Sequence, residues 1–120
     1  MSTQIQLCRR LWLECDGEHV MGNGMIRLLL EVRSQGSLKK AAEYLKMPYR
    51  GAWGRIRKAE EALGVALLES TRQRQKGVTL TPIALSLVEA FTRIDAECRD
   101  FLQERLQTLP LPGFQISLGR

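Results

Sequence analysis

Leu11, Leu13 and Cys15 stand at every second position, and a second short run, Glu18-His19-Val20-Met21, follows across Asp16-Gly17. A period of two marks a strand with one covered face, and Asp-Gly accepts the positive φ values of a two-residue turn, so this stretch predicts a β-hairpin. Leu11, Leu13 and Val20 are expected to line its covered face. Ile5 and Leu7 carry the same alternation upstream until Arg9 and Arg10 interrupt it. Gly22-Asn23-Gly24 ends the hairpin and offers Asn23 as a helix cap.

Beyond residue 24 the period lengthens to that of a helix. Ile26, Leu29, Leu30 and Val32 fit a helix over residues 25–35 that stops at Gly36. Ser37 caps a second helix reaching Lys46, with Ala41, Ala42 and Leu45 as a thin face suited to close packing. Met47-Pro48 interrupts it, because proline lacks an N–H and biases the preceding residue away from helix. A third helix is expected over 49–63, with Ala52, Ile56, Ala59 and Leu63 on one face, and Gly64 ends it. Residues 65–68 and 78–80 read as two short strands around the polar loop 72–77. Thr81-Pro82 then starts a long helix, threonine as cap and proline in the first turn. In it Ala84, Leu87, Phe91, Ile94, Cys98 and Phe101 recur at alternating spacings of three and four, with Val88, Leu102, Leu106 and Leu109 widening the stripe. At 1.5 Å per residue this helix, about 82–107, would span roughly 39 Å, more than so small a domain can cover. Part of its apolar seam is therefore expected to meet a second copy of the chain. Pro110 and Pro112 stop it, and residues 110–120 are expected to be a flexible tail.

The 120 residues are 44% hydrophobic and 26% charged, the make-up of one folded domain, which the pattern bounds at residues 1–109. The longest apolar run is the four residues Val65-Ala66-Leu67-Leu68, and the polar first residues lack a secretory pattern, so neither membrane nor export is expected and the cytoplasm is. Cys8, Cys15 and Cys98, odd in number and irregular in spacing, fit free thiols of a reducing compartment.

The distribution of charge sharpens the picture. The chain carries +5, and residues 37–58 hold seven basic side chains against Glu43 alone, a local +6 that exceeds the whole. Residues 89–107 hold three basic against five acidic, a local −2. Positive charge is thus gathered on the second and third helices, as an approach to phosphate requires. Three short helices followed by a two-stranded basic hairpin are the order of a winged helix-turn-helix, a mainly α fold with small β elements, here with an N-terminal hairpin and a long C-terminal dimerisation helix. The first residues of the third helix would enter the DNA major groove. Arg50 is the leading reader of sequence, because its planar fork bridges the two acceptors of guanine, and Tyr49 is placed to touch a base or a phosphate. Trp53 and Arg57 follow on the same side; Trp53 is read either as DNA-facing or as a packing residue. Arg55 and Lys58 are each read as a backbone clamp or a solvated residue. Ser37 is the cap of the second helix and compatible with a phosphate contact there. Lys39 and Lys40 lie in that helix's first turn, where positive charge opposes the dipole and phosphate would favour it. Arg72, Arg74 and Lys76 at the wing tip would track the adjacent minor groove or backbone, or stand in solvent. Leu87, Phe91, Ile94, Cys98, Phe101 and Leu102 are the expected dimer interface.

The run Gly36-Ser37-Leu38-Lys39-Lys40-Ala41-Ala42-Glu43-Tyr44-Leu45, then Pro48-Tyr49-Arg50-Gly51-Ala52-Trp53, then Leu63-Gly64-Val65-Ala66-Leu67-Leu68-Glu69 and Leu80-Thr81-Pro82, resembles the N-terminal DNA-binding domain of the molybdate-responsive (ModE-type) transcriptional regulators. The LysR-type regulators share its Gly-Ser-x-x-x-Ala-Ala and Leu-Gly-x-x-Leu frames. The Tyr-Arg-x-Ala-Trp run and the hairpin before the first helix favour the ModE-type. The resemblance covers about residues 11–106 and implies a winged helix-turn-helix that dimerises through its end helices and binds double-stranded DNA at a palindromic operator. It departs from the family in the wing, which is basic rather than glycine-rich, and in Pro48, where serine is frequent. No molybdate-binding domain is expected in these residues, and no small-molecule effector or cofactor is evident.

An enzyme is not expected. His19 is the single histidine, and no carboxylate pair, phosphate loop or nucleophile motif accompanies it. Cys15 and His19 with distant Cys8 do not make a zinc pattern, so no metal is expected. The alternative function is a winged-helix protein-interaction module without specific DNA binding, which an Arg50→Ala titration across a salt series separates from a regulator.

Overall fold

The computed structural model describes residues 3–71, 77–109 and 111–119. These separate into two compact units. One is Trp12–Ala90; the other joins the residues up to Leu11 with those from Phe91 onward.

The larger unit opens with the expected hairpin, β1 (Trp12–Cys15) antiparallel to β2 (Glu18–Gly22). Asp16 and Gly17 take φ values of 52° and 81° at its turn. The covered face differs from the one alternation predicts. A bulge between Leu13 and Glu14 pairs Leu13 with Met21 and Glu14 with His19, so Val20 is the extra residue. A bulge breaks the period of two: Val20 and Met21 are both buried while Leu13 is exposed.

Helix α1 (Asn23–Gln35) begins two residues earlier than its pattern indicates. Asn23 lies inside its first turn, and Gly22 holds the cap position with no side-chain cap bond. The reason is that β2 pairs as far as Gly22 opposite Trp12, which leaves no free residue between strand and helix. Met25, Ile26, Leu28, Leu29 and Val32 form its buried face, and Leu30, expected among them, is exposed. Ser37 caps α2 (Leu38–Tyr44) as predicted, its Oγ accepting the Lys40 N–H at 3.2 Å. The helix stops two residues before Lys46, which takes a left-handed φ of 57° and turns the chain before Pro48 is reached. Helix α3 (Tyr49–Leu63) keeps its predicted bounds and buries Ala52, Ile56 and Ala59.

The chain leaves α3 through polar bonds that hold the next turn. The Glu60 carboxylate accepts the Leu67 N–H at 2.8 Å, and Thr81 Oγ1 donates to the Ala66 carbonyl at 2.8 Å. Thr81 Oγ1 also accepts the Ala84 N–H at 3.3 Å, the cap expected of it. The wing strands are β3 (Leu68–Ser70) and β4 (Val78–Leu80), antiparallel with Leu68 opposite Leu80. The first starts later than the apolar run suggests, because Leu67 is spent entirely in the core. Gly77 stands at a close approach: a Cβ there would lie 2.5 Å from the Gly36 carbonyl, which also accepts the Val78 N–H at 3.2 Å. The wing base is thereby fixed to the α1–α2 turn.

Met21, Leu28, Leu29, Val32, Ile56 and Leu67 are fully buried, joined by Ala84 and Val88 from the first turns of α4 (Pro82–Thr108). At about 1.5–3 kcal/mol per large apolar side chain this cluster dominates the stability of the unit. Alanines at 41, 42, 52 and 59 let α1, α2 and α3 pack backbone to backbone.

In the smaller unit residues 111–119, expected within a flexible tail, carry a strand. β5 (Phe114–Leu118) pairs in parallel with a first strand over residues 3–7, called βN, in the register Thr3 to Phe114 through Leu7 to Leu118. The alternation of Ile5 and Leu7 is real, and its partner is the far end of the chain. Arg9 is bound to the remainder of α4, its guanidinium donating to the Asp95 carboxylate and, at 2.7 Å, to the Asp95 carbonyl.

Candidate nucleic-acid interface

Helix α3 has two faces set by its sequence. Ala52, Ile56 and Ala59 point inward, and a rotation of 100° per residue turns Arg50, Gly54, Arg57 and Lys58 outward, with Tyr49 and Trp53 at the flank. All six are exposed. Trp53, read either as packing or as outward, is 37% exposed and carries the Arg57 guanidinium 5.8 Å from its ring centroid. It is therefore outside the core. Gly54 has no atom within 4 Å of where a Cβ would stand, so the face is bare between the two arginines. Tyr49 is 47% exposed in the first turn, beside Arg50.

Lys39 and Lys40 are exposed on the first turn of α2. Ser37 is half-buried and spends its oxygen on the Lys40 N–H. Arg55 is exposed as well, and its guanidinium stands 3.4 Å from the Cβ position of Gly24, at the start of α1. Two residues outside the expected set share the exposure, Tyr44 at the end of α2 and Lys46 in the turn before α3. The signal for Lys46 was its neighbourhood in the basic run. Tyr44 carried none, because an aromatic residue within a helical run reads as packing. Arg72, Arg74 and Lys76 lie outside the described residues.

The residues expected as a dimer interface divide. Phe91 is 7% exposed and committed inside the chain, whereas Ile94 and Phe101 are 55% and 56% exposed. Leu87, Cys98 and Leu102 are half-buried. His19 stacks on Trp12 with ring centroids 6.4 Å apart, and Cys15 Sγ donates to the Ala62 carbonyl at 3.3 Å. Among the described residues no three His, Cys, Asp or Glu side chains are grouped to hold a metal ion, and no helix is long and apolar enough to cross a membrane.

The family model for bacterial regulatory helix-turn-helix proteins of the lysR family matches residues 24–85, more than half of the chain. The chain belongs to the LysR family. This is a family of DNA-binding transcription regulators, not of enzymes. Its match runs from α1 to the start of α4 and includes the helix-turn-helix pair and the wing. The LysR fold recurs in solved structures. The DNA-binding domain of BenM, crystallised with benA site 1 DNA, is 23% identical with a TM-score of 0.56 over 73% of this chain and 99% of that one. The DNA-binding domain of CbnR in complex with DNA is 24% identical with a TM-score of 0.57 over 73% and 99%. Full-length LysG of Corynebacterium glutamicum with bound effector Arg is 20% identical with a TM-score of 0.57, and 82% of this chain covers 42% of it. No curated protein matches the chain. The LysR frame, and not the ModE-type resemblance, is what these comparisons support.

Proposed function

We propose that this LysR-family chain acts as a homodimer on a palindromic DNA operator, with α3 of each copy in successive major grooves about one turn, roughly 34 Å, apart. The observation that carries the reading is the outward face of α3: Tyr49, Arg50, Trp53, Arg57 and Lys58 are exposed together in front of a fully apolar inner face. Arg50 and Tyr49 read bases, and Lys39, Lys40, Arg57 and Lys58 neutralise phosphate. Ser37 holds the N-terminus of α2, whose N–H groups add a phosphate site. The copies meet through Ile94 and Phe101 of α4, with Cys98 and Leu102 beside them.

The test is a titration of a labelled duplex from upstream of the chain's own gene against excess unrelated duplex, repeated across a salt series. Specific binding should survive the competitor, and Arg50→Ala should weaken it by about 1–3 kcal/mol, tenfold or more, while the melting temperature stays unchanged. Equal binding by Arg50→Ala and the unaltered chain would remove Arg50 from base reading. Binding that disappears with the competitor, for this duplex and for a genomic fragment library, would leave only a generic basic surface.

A further inference from the structure

The βN–β5 sheet is small and unguarded. Among the described residues it has two strands, whereas three or more with an apolar face, or packing against a helix, are the usual minimum for independent stability. Neither strand, Thr-Gln-Ile-Gln-Leu nor Phe-Gln-Ile-Ser-Leu, holds a charged residue, although free edges are commonly blunted with charge or proline. Its side chains are sorted by face, with Ile5, Leu7, Phe114, Ile116 and Leu118 on one side and Gln4, Gln6, Gln115 and Ser117 on the other.

The hydrogen bonds show which main-chain groups are free. Gly119 N–H donates to the Leu7 carbonyl at 2.8 Å, and Leu7 is in register with Leu118. In a parallel ladder alternate residues bond to the same neighbour, so Gln115 and Ser117 face βN, and the N–H and C=O of Phe114, Ile116 and Leu118 face the open edge. Phe114 N–H is already spent on the Leu111 carbonyl at 3.1 Å.

We propose that a second copy of the chain completes this sheet: β5 pairs with β5 of the second copy, antiparallel about Ile116, to make a four-stranded sheet βN–β5–β5–βN. A two-fold axis at Ile116 lets its N–H and C=O bond their counterparts, and lets each Leu118 N–H reach the Phe114 carbonyl of the other copy. Four inter-chain bonds form without disturbing the Phe114–Leu111 turn. The apolar face then sets Phe114 against Leu118 and Ile116 against Ile116, and Gln115 meets Ser117 on the polar face. The other edge is the poorer match, since pairing βN with itself about Ile5 puts Thr3 opposite Leu7. Area points the same way. A stable interface takes about 800 Å² from each partner, some 20–30 residues, and Ile94, Cys98, Phe101 and Leu102 of α4 fall well short of that alone.

The proposal rests on the dimer reading above, and its test separates the two. The unaltered full chain is sedimented, and the chain with Cys8, Cys15 and Cys98 changed to serine, carrying either Ile116→Cys or Ile5→Cys, is oxidised. A hydrogen-bonded antiparallel pair sets Cα atoms about 5.5 Å apart, within disulfide reach, so Ile116→Cys should become a covalent dimer and Ile5→Cys, one strand further from the axis on each side, should not. Sedimentation as a dimer without cross-linking at Ile116, or with cross-linking at Ile5 instead, overturns the shared sheet and leaves the dimer standing. Sedimentation as a monomer overturns both. Ile116→Pro removes an N–H that βN does not use, so the helical circular dichroism should persist while dimer dissociation rises at least tenfold; unchanged dissociation also overturns the proposal.

Discussion

Single residues in this chain act through where their atoms are held. Arg50 and Arg55 are both arginines of one helix, yet Arg50 stands at the outward face while Arg55 reaches the start of α1. Five positions turn a side chain by roughly 140° around a helix, so the two guanidiniums leave α3 on different sides. Gly77 shows the opposite kind of constraint. It has no side chain to offer, and its worth is the approach of the wing to the Gly36 carbonyl. Gly77→Ala is expected to destabilise the larger unit by about 1–3 kcal/mol, because a backbone oxygen 2.5 Å from the new carbon cannot yield without moving the α1–α2 turn. A denaturant titration checks this; an unchanged midpoint would show that the wing is free to shift.

At the scale of elements, the helices were legible in the sequence and the strands less so. α3 and α4 start within a residue of their predicted positions, since their periodic apolar faces and their caps or breakers coincide. The hairpin was legible as a hairpin, through Asp16-Gly17, but its covered face was not. A bulge costs one residue of register and leaves no mark in composition. Met21, which the sequence did not single out, is fully buried as a result. Met21→Ala should cost about 2–5 kcal/mol, comparable with losing a helix core residue, whereas Leu13→Ala should cost well under half of that; thermal melts of the two variants side by side decide it. α4 was predicted as a seam along its length, and the structure divides it. Its first turns give Ala84 and Val88 to the core, and its later turns expose Ile94 and Phe101. Phe101→Glu is expected to raise dimer dissociation at least tenfold with the melting profile of the larger unit intact, as read by sedimentation over a concentration series. A variant that sediments as the unaltered chain would take Phe101 out of the interface.

For the whole molecule the governing quantity is the placement of charge. A net +5 is modest, but residues 37–58 hold more than all of it, on the exposed faces of α2 and α3. Binding driven by phosphate neutralisation weakens with salt in proportion to the number of phosphates neutralised. Replacing Lys39 and Lys40 together by alanine should lower the slope of log affinity against log salt by about 1 for each phosphate no longer neutralised, and weaken all duplexes alike. Arg50→Ala should instead act on one sequence more than on others. If the double lysine variant changes preference among sequences and leaves the slope unaltered, the assignment of α2 to phosphate is wrong.

By itself the sequence determined the local elements and the chemistry that they carry. Ser37 and Thr81 are caps wherever they stand, Gly36 and Gly64 end helices, and a basic run with apolar residues at helical spacing must place its charges outward, because burying them unpaired is too costly. The winged helix-turn-helix fold followed from those local features in their order, whereas the family did not: the Tyr-Arg-x-Ala-Trp run pointed to the ModE-type and the matched family is LysR. Only the tertiary structure decided what depends on residues far apart in the chain: that Phe114–Leu118 lies beside the first strand, that Arg9 holds Asp95, that Leu30 and Trp53 face outward, and that the wing rests on Gly36. Local periodicity reports which face of an element is apolar. Which partner covers that face is set by long-range packing, and a strand's partner above all, since its hydrogen bonds lie outside its own segment.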